Sequence, residues 1–348
     1  MNGIPSPIRV LVVDDSPFMR HTLTKYLSAI PGIHVIGQAN DGVDALAKIP
    51  KLKPDVVTLD VQMPRMDGLA TLERIMADCP TPVVMLSALT QRGARVTIQA
   101  LMRGAVDFVA KPSEALQITE VIEDLAEKIR MAAGLRSSPM LLPSPSIPEL
   151  PKKASPTLFQ KGNPLIIIGA STGGPRALRQ VLSDLPPTLQ AAIVVVQHMP
   201  LGFTQPLAQR LNENCALTVQ EAAQGDRLAH GVILVAPSGH HLKFDGFRQV
   251  KLDDGPRRNG VRPAVDISME SAAEYYGPSI IGVVLTGMGS DGTDGARRIK
   301  AVGGTVIAEH EFTSVVYGMP RSVIEAGLAD HIVPLPDVAS KLVELVGK

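Results

Sequence analysis

Two groups of residues in this chain have the types and spacing of reactive sites. The first is acidic: Asp14 and Asp15 close one apolar, β-branched run, Asp60 closes another, and Lys111 closes a third. Three carboxylates converging on one edge repel each other unless a hard cation lies among them, with water and phosphate completing an octahedron, so magnesium is the expected ion. The Lys111 ammonium can pair with Asp60 or with its phosphorylated form. Ser87 adds a hydroxyl at the end of a further run. These residue types suit transfer of a phosphoryl group to a carboxylate, although Asp15 taken alone reads better as a helix cap.

The second group suits acyl transfer. Ser171 follows the run Leu165–Gly169 and precedes Gly173-Gly174-Pro175, which places it on a tight strand-to-helix turn. A hydroxyl at such a corner is exposed, and amides at the helix start can stabilise the oxygen of a tetrahedral intermediate. The letters Gly169-Ala170-Ser171-Thr172-Gly173 satisfy G-x-S-x-G, a pattern of low specificity by itself. A serine needs a neighbouring base. His198, at the end of the run Ala192–Gln197, is the leading candidate among eight histidines. Asp291, in a glycine-rich loop after Ile280–Thr286, can orient its imidazole, or can instead cap a helix over Gly295–Val302. The same loop reads Gly287-x-Gly289-x-x-Gly292 with Glu309 at the spacing of a ribose-binding acid. Against a dinucleotide site stands Asp291, which would set a carboxylate against the pyrophosphate. Against a short-chain dehydrogenase, none of Tyr275, Tyr276 or Tyr317 has a lysine four positions on.

The elements that must carry these residues alternate regularly. From Ile8 to about Ala132, strand-like runs at Arg9–Asp14, His34–Ala39, Asp55–Asp60, Pro82–Ser87 and Ala105–Ala110 are separated by helical patterns. Continuous apolar strands divided by helices predict a parallel sheet covered on both faces. Ser16-Pro17 opens the first helix as cap and first helical residue. From Pro164 onward the alternation returns at Leu165–Gly169, Ala192–Gln197, Gly231–Ala236, Ile280–Thr286 and Gly304–Ala308, with helical stretches such as Gly174–Leu185. His241–Asp253 alternates polar and apolar residues around Asp245-Gly246, which predicts a β-hairpin. The fold class expected is α/β, with two doubly wound parallel-sheet domains. Between them, about Gly134 to Asn163, the composition turns to Pro, Ser and Lys and periodicity is lost, as in a linker of intermediate stiffness. The expected division is 1–132, linker 133–160, and 161–348.

Composition narrows the function classes. The chain's 348 residues exceed the usual size of one core. Its 34 basic and 34 acidic residues leave no net charge, so no global attraction to nucleic acid or to an anionic membrane is expected. Two cysteines, Cys79 and Cys215, far apart in the chain, argue against a disulfide framework and against thiolate-rich zinc sites, and fit a reducing, cytoplasmic setting. The segment Met1 to Val10 lacks the basic region and apolar stretch expected of a signal peptide, and no apolar run approaches the roughly 18 residues needed to cross a bilayer.

The first set resembles a response-regulator receiver domain: Asp14-Asp15, Asp60 followed by Met63-Pro64 and Asp67-Gly68, then Ser87 and Lys111-Pro112. That resemblance implies a flavodoxin-like fold with Asp60 as phosphoacceptor and Asp14, Asp15 and Asp60 as Mg2+ ligands. It also implies a switch made of Ser87, Lys111 and the aromatic Phe108, with a histidine kinase as phosphodonor. The second half is similar to the chemotaxis protein-glutamate methylesterase family in Ile168–Gly174, Gln197-His198-Met199-Pro200, Arg262-Pro263-Ala264-Val265-Asp266, Leu285–Gly292 and Ser314–Pro320. The resemblance implies a Rossmann-like domain with Ser171 as nucleophile, His198 as base, Asp291 as its orienter, and Thr172 and Met288 at the oxyanion hole. Val261 departs from the histidine often found before the Arg-Pro pair. The implied substrate is a glutamate γ-methyl ester on a chemoreceptor, with glutamine deamidation as a second activity and no cofactor for hydrolysis. The implied control is a receiver that blocks the Ser171 face until Asp60 is phosphorylated. A receptor-binding adaptor without turnover is the rival expectation.

Overall fold

The computed structural model describes residues 6–88, 90–111, 118–135, 153, 156–159 and 162–347. The chain divides into two compact units, Met1–Pro145 and Ser146–Lys348. In the first, five strands alternate with five helices: β1 (Ile8–Val13), α1 (Pro17–Ser28), β2 (Ile33–Ala39), α2 (Gly42–Leu52), β3 (Val56–Asp60), α3 (Gly68–Asp78), β4 (Val83–Ser87), α4 (Gln91–Met102), β5 (Asp107–Ala110) and α5 (Ile118–Gly134). All pairings are parallel, in the order β2-β1-β3-β4-β5. β3 and β4 are buried along their whole length, as expected of strands covered on both faces. Ser16 caps α1 by accepting from the Met19 amide, with Pro17 at the helix start.

The second unit runs β6 (Thr157–Leu158), β7 (Leu165–Ala170), α6 (Gly174–Ser183), β8 (Ala192–Gln197), α7 (Thr204–Asn212), β9 (Thr218–Glu221), β10 (Ala229–His230), β11 (Val232–Val235), β12 (His241–Phe244), β13 (Val250–Asp253), α8 (Val265–Tyr276), β14 (Ile280–Val284), α9 (Thr293–Ala301), β15 (Thr305–Glu309), α10 (Met319–Glu325), β16 (His331–Val333) and α11 (Val338–Val346). Seven of these strands form a parallel sheet ordered β16-β15-β14-β7-β8-β11-β9. The central strand β7 carries Leu165, Ile166, Ile167 and Ile168 with no exposed surface, and each such side chain contributes about 1.5–3 kcal/mol. β12 and β13 form the expected hairpin, with His241 opposite Asp253.

The sheet has two strands that the sequence did not announce. β9 and β16 lie at its edges and are four and three residues long, too short to carry a periodic signal and of the length that edge positions favour. The expected linker lies largely outside the described residues, as does Pro112. At its start α5 runs on to Gly134, past the expected end of the first domain at residue 132, and near its end the described residues join the second unit: Lys153 Nζ donates to the Asn212, Cys215 and Leu217 carbonyls, β6 pairs antiparallel with β10, and the Phe159 ring packs on His230 and Tyr276. Both cysteines are free, and burial pushes the Cys215 thiol up to about 12. Among the described residues, no helix is long and apolar enough to cross a membrane.

Candidate functional site

In the first unit, β1 and β3 are neighbours, but the chain leaves β1 toward β2 on the other side. The crevice between such strands, at their carboxyl ends, is where open α/β sheets bind ligands. Asp14 and Asp15 follow β1, Asp60 ends β3, and carboxylate oxygens of the three lie within 4.8 Å of one another. The donor set is all hard oxygen with Asp15 exposed and Asp14 and Asp60 buried, which fits a divalent cation that keeps part of its water shell. Lys111 Nζ reaches Asp14 Oδ2 at 2.7 Å and Asp60 Oδ2 at 2.8 Å. Burial raises the Asp60 carboxyl above its ordinary range, against the pull of Lys111, and the Asp14 charge adds to the rise. Burial pulls Lys111 down, but the Asp60 and Asp14 carboxylates outweigh it and the net direction is up.

Ser87 ends β4 beside β3 and is fully buried, its hydroxyl accepting from Thr97 Oγ1 at 2.7 Å. Phe108 lies on β5, buried, with the Lys128 ammonium 5.7 Å from its ring centroid. Asp67 caps α3. Gly68 is required for a steric reason, because a Cβ there would stand 2.1 Å from the backbone oxygen of Asp60.

The second unit repeats the principle with three adjacent strands, β14-β7-β8. Strands β8, β11 and β9 extend on one side of β7 and β14, β15 and β16 on the other, so β7 and β14 flank the switch point. Ser171 follows β7, His198 follows β8, and Asp291 lies in the loop after β14. Ala170 and Gln197 are register partners, and His198 N donates to Ala170 O at 3.1 Å. Ser171 and His198 are thus brought side by side at the sheet edge, each one residue beyond that pair. His198 Nε2 and Asp291 Oδ2 are 2.7 Å apart. That bond engages Nε2 and leaves Nδ1 as the ring nitrogen not held by Asp291.

Asp291 is buried and fully engaged: Oδ2 also accepts from Val265 N at 2.7 Å and Oδ1 from Asp266 N at 2.9 Å. Burial raises its carboxyl, but the His198 bond and charge and the two amides outweigh burial and hold it below the ordinary range. The residue caps α8, not the following helix α9, which starts after Gly292. Thr172 is buried, its carbonyl accepting from Thr286 Oγ1 at 2.9 Å. The Met288 amide donates to no group among the described residues.

Gly287 makes the approach of this loop to Ser171 possible. A Cβ at 287 would lie 2.3 Å from Met319 Sδ, 2.8 Å from Ser171 Cβ and 3.1 Å from Ser171 N. Gly287→Ala is expected to cost about 1–3 kcal/mol through overpacking and to lower activity by about tenfold or more through displacement of the serine. Thermal unfolding beside ester hydrolysis would show both.

Sequence reasoning missed four residues that organise the edge. Gln197, buried at the end of β8, donates from Nε2 to the carbonyls of Ser171 (2.9 Å) and His198 (3.1 Å), tying the two together. A polar residue closing an otherwise apolar strand was the available signal. Thr286 bonds Thr172 and accepts from Val316 N at 2.9 Å. Asp266 accepts from Gly292 N and Gly295 N. Glu309, far from any ribose role, is fully buried at the end of β15 and accepts from Thr286 N at 2.8 Å.

Burial pushes the Glu309 carboxyl up to about 7, with the Thr286 amide and the nearby Thr313 and Ser314 hydroxyls pulling it back. Its pKa is raised on folding, so the native state holds the proton between about 4.5 and 7 while the unfolded state loses it, and stability falls as pH rises through that window. A shift of this size corresponds to roughly 3 kcal/mol. Glu309→Gln keeps an acceptor for Thr286 N and is expected to raise Tm at pH 8 and leave it unchanged at pH 4. Equal Tm values at pH 8 would contradict this.

A receiver-type sheet followed by a second doubly wound domain, with a serine beside a histidine–aspartate pair at its switch point, defines a two-component response regulator carrying a hydrolase-type effector domain. Residues 10–123 match the response regulator receiver domain and residues 166–342 match CheB methylesterase. The chain is 46% identical over 357 residues to a protein-glutamate methylesterase/protein-glutamine glutaminase of Symbiobacterium thermophilum, covering 99% of each. It is 46% identical over 344 residues to the protein of the same name from Thermotoga maritima, covering 97% of this chain and 98% of that one. The crystal structure of the Thermotoga maritima CheB methylesterase catalytic domain superposes with a TM-score of 0.52 at 48% identity, over 53% of this chain and 99% of that domain. The chain belongs to the CheB methylesterase family, in the form that carries a receiver domain.

Proposed function

We propose that this protein is a phosphorylation-activated serine hydrolase that demethylates glutamate γ-methyl esters on chemoreceptors, releases methanol, and also deamidates receptor glutamines. The observation that carries the reading is the 2.7 Å His198–Asp291 bond, made between the segments that follow the strands on either side of β7, the strand that Ser171 follows. Ser171 Oγ attacks the ester carbonyl carbon as its proton passes to His198 Nδ1. Asp291, holding Nε2–H, keeps that tautomer and stabilises the imidazolium. The negative oxygen is received by the Met288 amide and by Thr172 at the start of α6. Collapse breaks the ester C–O bond, and the proton on His198 leaves with methoxide as methanol. Water, deprotonated by His198, then attacks the acyl-serine and frees the glutamate carboxylate and the serine. An amide substrate follows the same route with ammonia as leaving group, which demands more of His198 as acid.

In the receiver, Asp60 accepts the phosphoryl group from a histidine kinase, and Asp14, Asp15 and Asp60 would hold Mg2+. The ion, when bound, neutralises charge on the phosphoryl oxygens. Lys111, already between Asp14 and Asp60, would turn to the phosphoryl oxygens, and Ser87 and Phe108 would adjust to them. The reading places the protein in the cytoplasm, with the receiver tied to the hydrolase domain by the Pro- and Ser-rich stretch between α5 and β6. The test is methanol release from methylated receptor membranes by the full chain, with and without a small-molecule phosphodonor and magnesium. Release should rise with phosphodonor in the wild type and stay flat in Asp60→Ala. A rise that persists in Asp60→Ala rules out this control, and no release under any condition favours the adaptor role.

A further inference from the structure

One buried acid takes no part in the chemistry above. Asp266 stands in the first turn of α8, 1% exposed. Its Oδ1 accepts from Gly292 N at 2.9 Å and Gly295 N at 2.7 Å, at the start of α9. Asp291 returns the exchange, its carboxylate accepting from Val265 N and Asp266 N at the start of α8. Two buried carboxylates therefore cap each other's helices, and one of them shares an oxygen with His198. Capping by an ionised carboxylate is stronger than by a neutral group, and each helix start favours negative charge.

We propose that Asp266 is a positioning residue for ester hydrolysis: through the Gly287–Gly292 loop and Asp291 it holds the carboxylate that orients His198. The proposal rests on the hydrolase reading given above. Asp291 faces Asp266 from the loop before α9, with His198 behind it, and Arg258 faces it from the loop before α8, Nε 3.7 Å from Oδ2. The Arg258 guanidinium also holds Glu270 on α8 and Asp294 on α9, and His241 on β12 accepts from the neighbouring Ala264 N at 3.2 Å. Burial pushes the Asp266 carboxyl up to about 6; the Gly295 amide opposes this, the Asp291 carboxylate adds to it, and Arg258 draws it back. Once protonated, Asp266 is a poorer acceptor for the two amides of α9. Its new O–H turns to Asp291, whose oxygens already take three N–H donors, and competes there with His198. Turnover should therefore have an acid limb that belongs partly to Asp266.

The experiment measures basal ester hydrolysis by the full chain, without phosphodonor so that the receiver's own titration does not enter, from pH 5 to 9. Wild type, Asp266→Asn, Arg258→Gln and Ser171→Ala are compared. Asparagine keeps an oxygen for the Gly292 and Gly295 amides and presents a permanent donor to Asp291. Its Tm should stay near wild type while kcat falls about tenfold with KM unchanged, and its acid limb should flatten. A purely structural Asp266 would leave kcat intact in this isostere. Arg258→Gln removes the cation that favours ionised Asp266, so the acid limb should move up by about half a pH unit with the alkaline plateau unchanged. If Asp266→Asn does not fold, the Arg258→Gln limb decides alone. An Asp266→Asn kcat within twofold of wild type at every pH, or an unmoved limb in Arg258→Gln, overturns the proposal while methanol release still exceeds Ser171→Ala. Equal release by wild type and Ser171→Ala overturns the hydrolase reading and this proposal with it.

Discussion

Ser171→Ala is expected to lower kcat for ester hydrolysis by about a millionfold, to the level left by binding and oxyanion stabilisation alone. A large loss is expected because the reaction needs an oxygen beside a base, and the neighbouring hydroxyl of Thr286 is already committed to the Thr172 carbonyl and the Val316 amide. The substitution removes one oxygen from a turn held by backbone bonds, Ser171 N to Thr286 O and Gly174 N to Ser171 O. Tm and the phosphorylation of Asp60 should therefore be unchanged. Single-turnover methanol release separates the outcomes, and a residual rate above one per cent would mean that Ser171 is not the nucleophile.

Asp291→Asn should cost about ten-thousandfold in kcat. The carboxylate accepts from His198 Nε2, so the proton on the ring stays at that nitrogen and Nδ1 keeps its lone pair for the serine. An asparagine that presents its amide to the ring reverses this: Nε2 becomes the acceptor, the proton moves to Nδ1, and the base is lost. The variant also gives up one of two carboxylate oxygens that hold the start of α8, so a fall in Tm corresponding to about 1–2 kcal/mol should accompany it. Asp291→Glu, with a longer arm, should not restore activity. Its recovery to within tenfold of wild type would show that charge alone, without the cap geometry, is what His198 requires.

How much of this was legible in the chain depends on the range over which each feature acts. The apolar runs Val10–Val13, Val56–Leu59 and Leu165–Ile168 announced buried parallel strands because their period and β-branched content are local properties. The hairpin around Asp245-Gly246 was legible for the same reason. The edge strands β9 and β16 were not, since their pairing comes from a neighbour already in place and not from their own three or four residues. Asp291 was expected either to orient a histidine or to cap the helix that follows it, and the structure has it bonded to His198 while capping α8, a helix that begins 26 residues earlier in the chain. No spacing rule reaches across that separation.

The sequence by itself determined the two α/β sheets, the strand ends at which Asp14, Asp60, Ser171 and His198 must lie, and the glycines that let backbones approach there. These follow from side-chain period and backbone sterics, which act between neighbours along the chain. Only the tertiary structure decided which strand ends meet: that β14, β7 and β8 are adjacent, that Nε2 and not Nδ1 of His198 takes Asp291, and that Asp266 and Asp291 cap each other's helices. Those are contacts between segments distant in sequence, selected by how whole layers pack, and burial then sets the charge that each acid can carry.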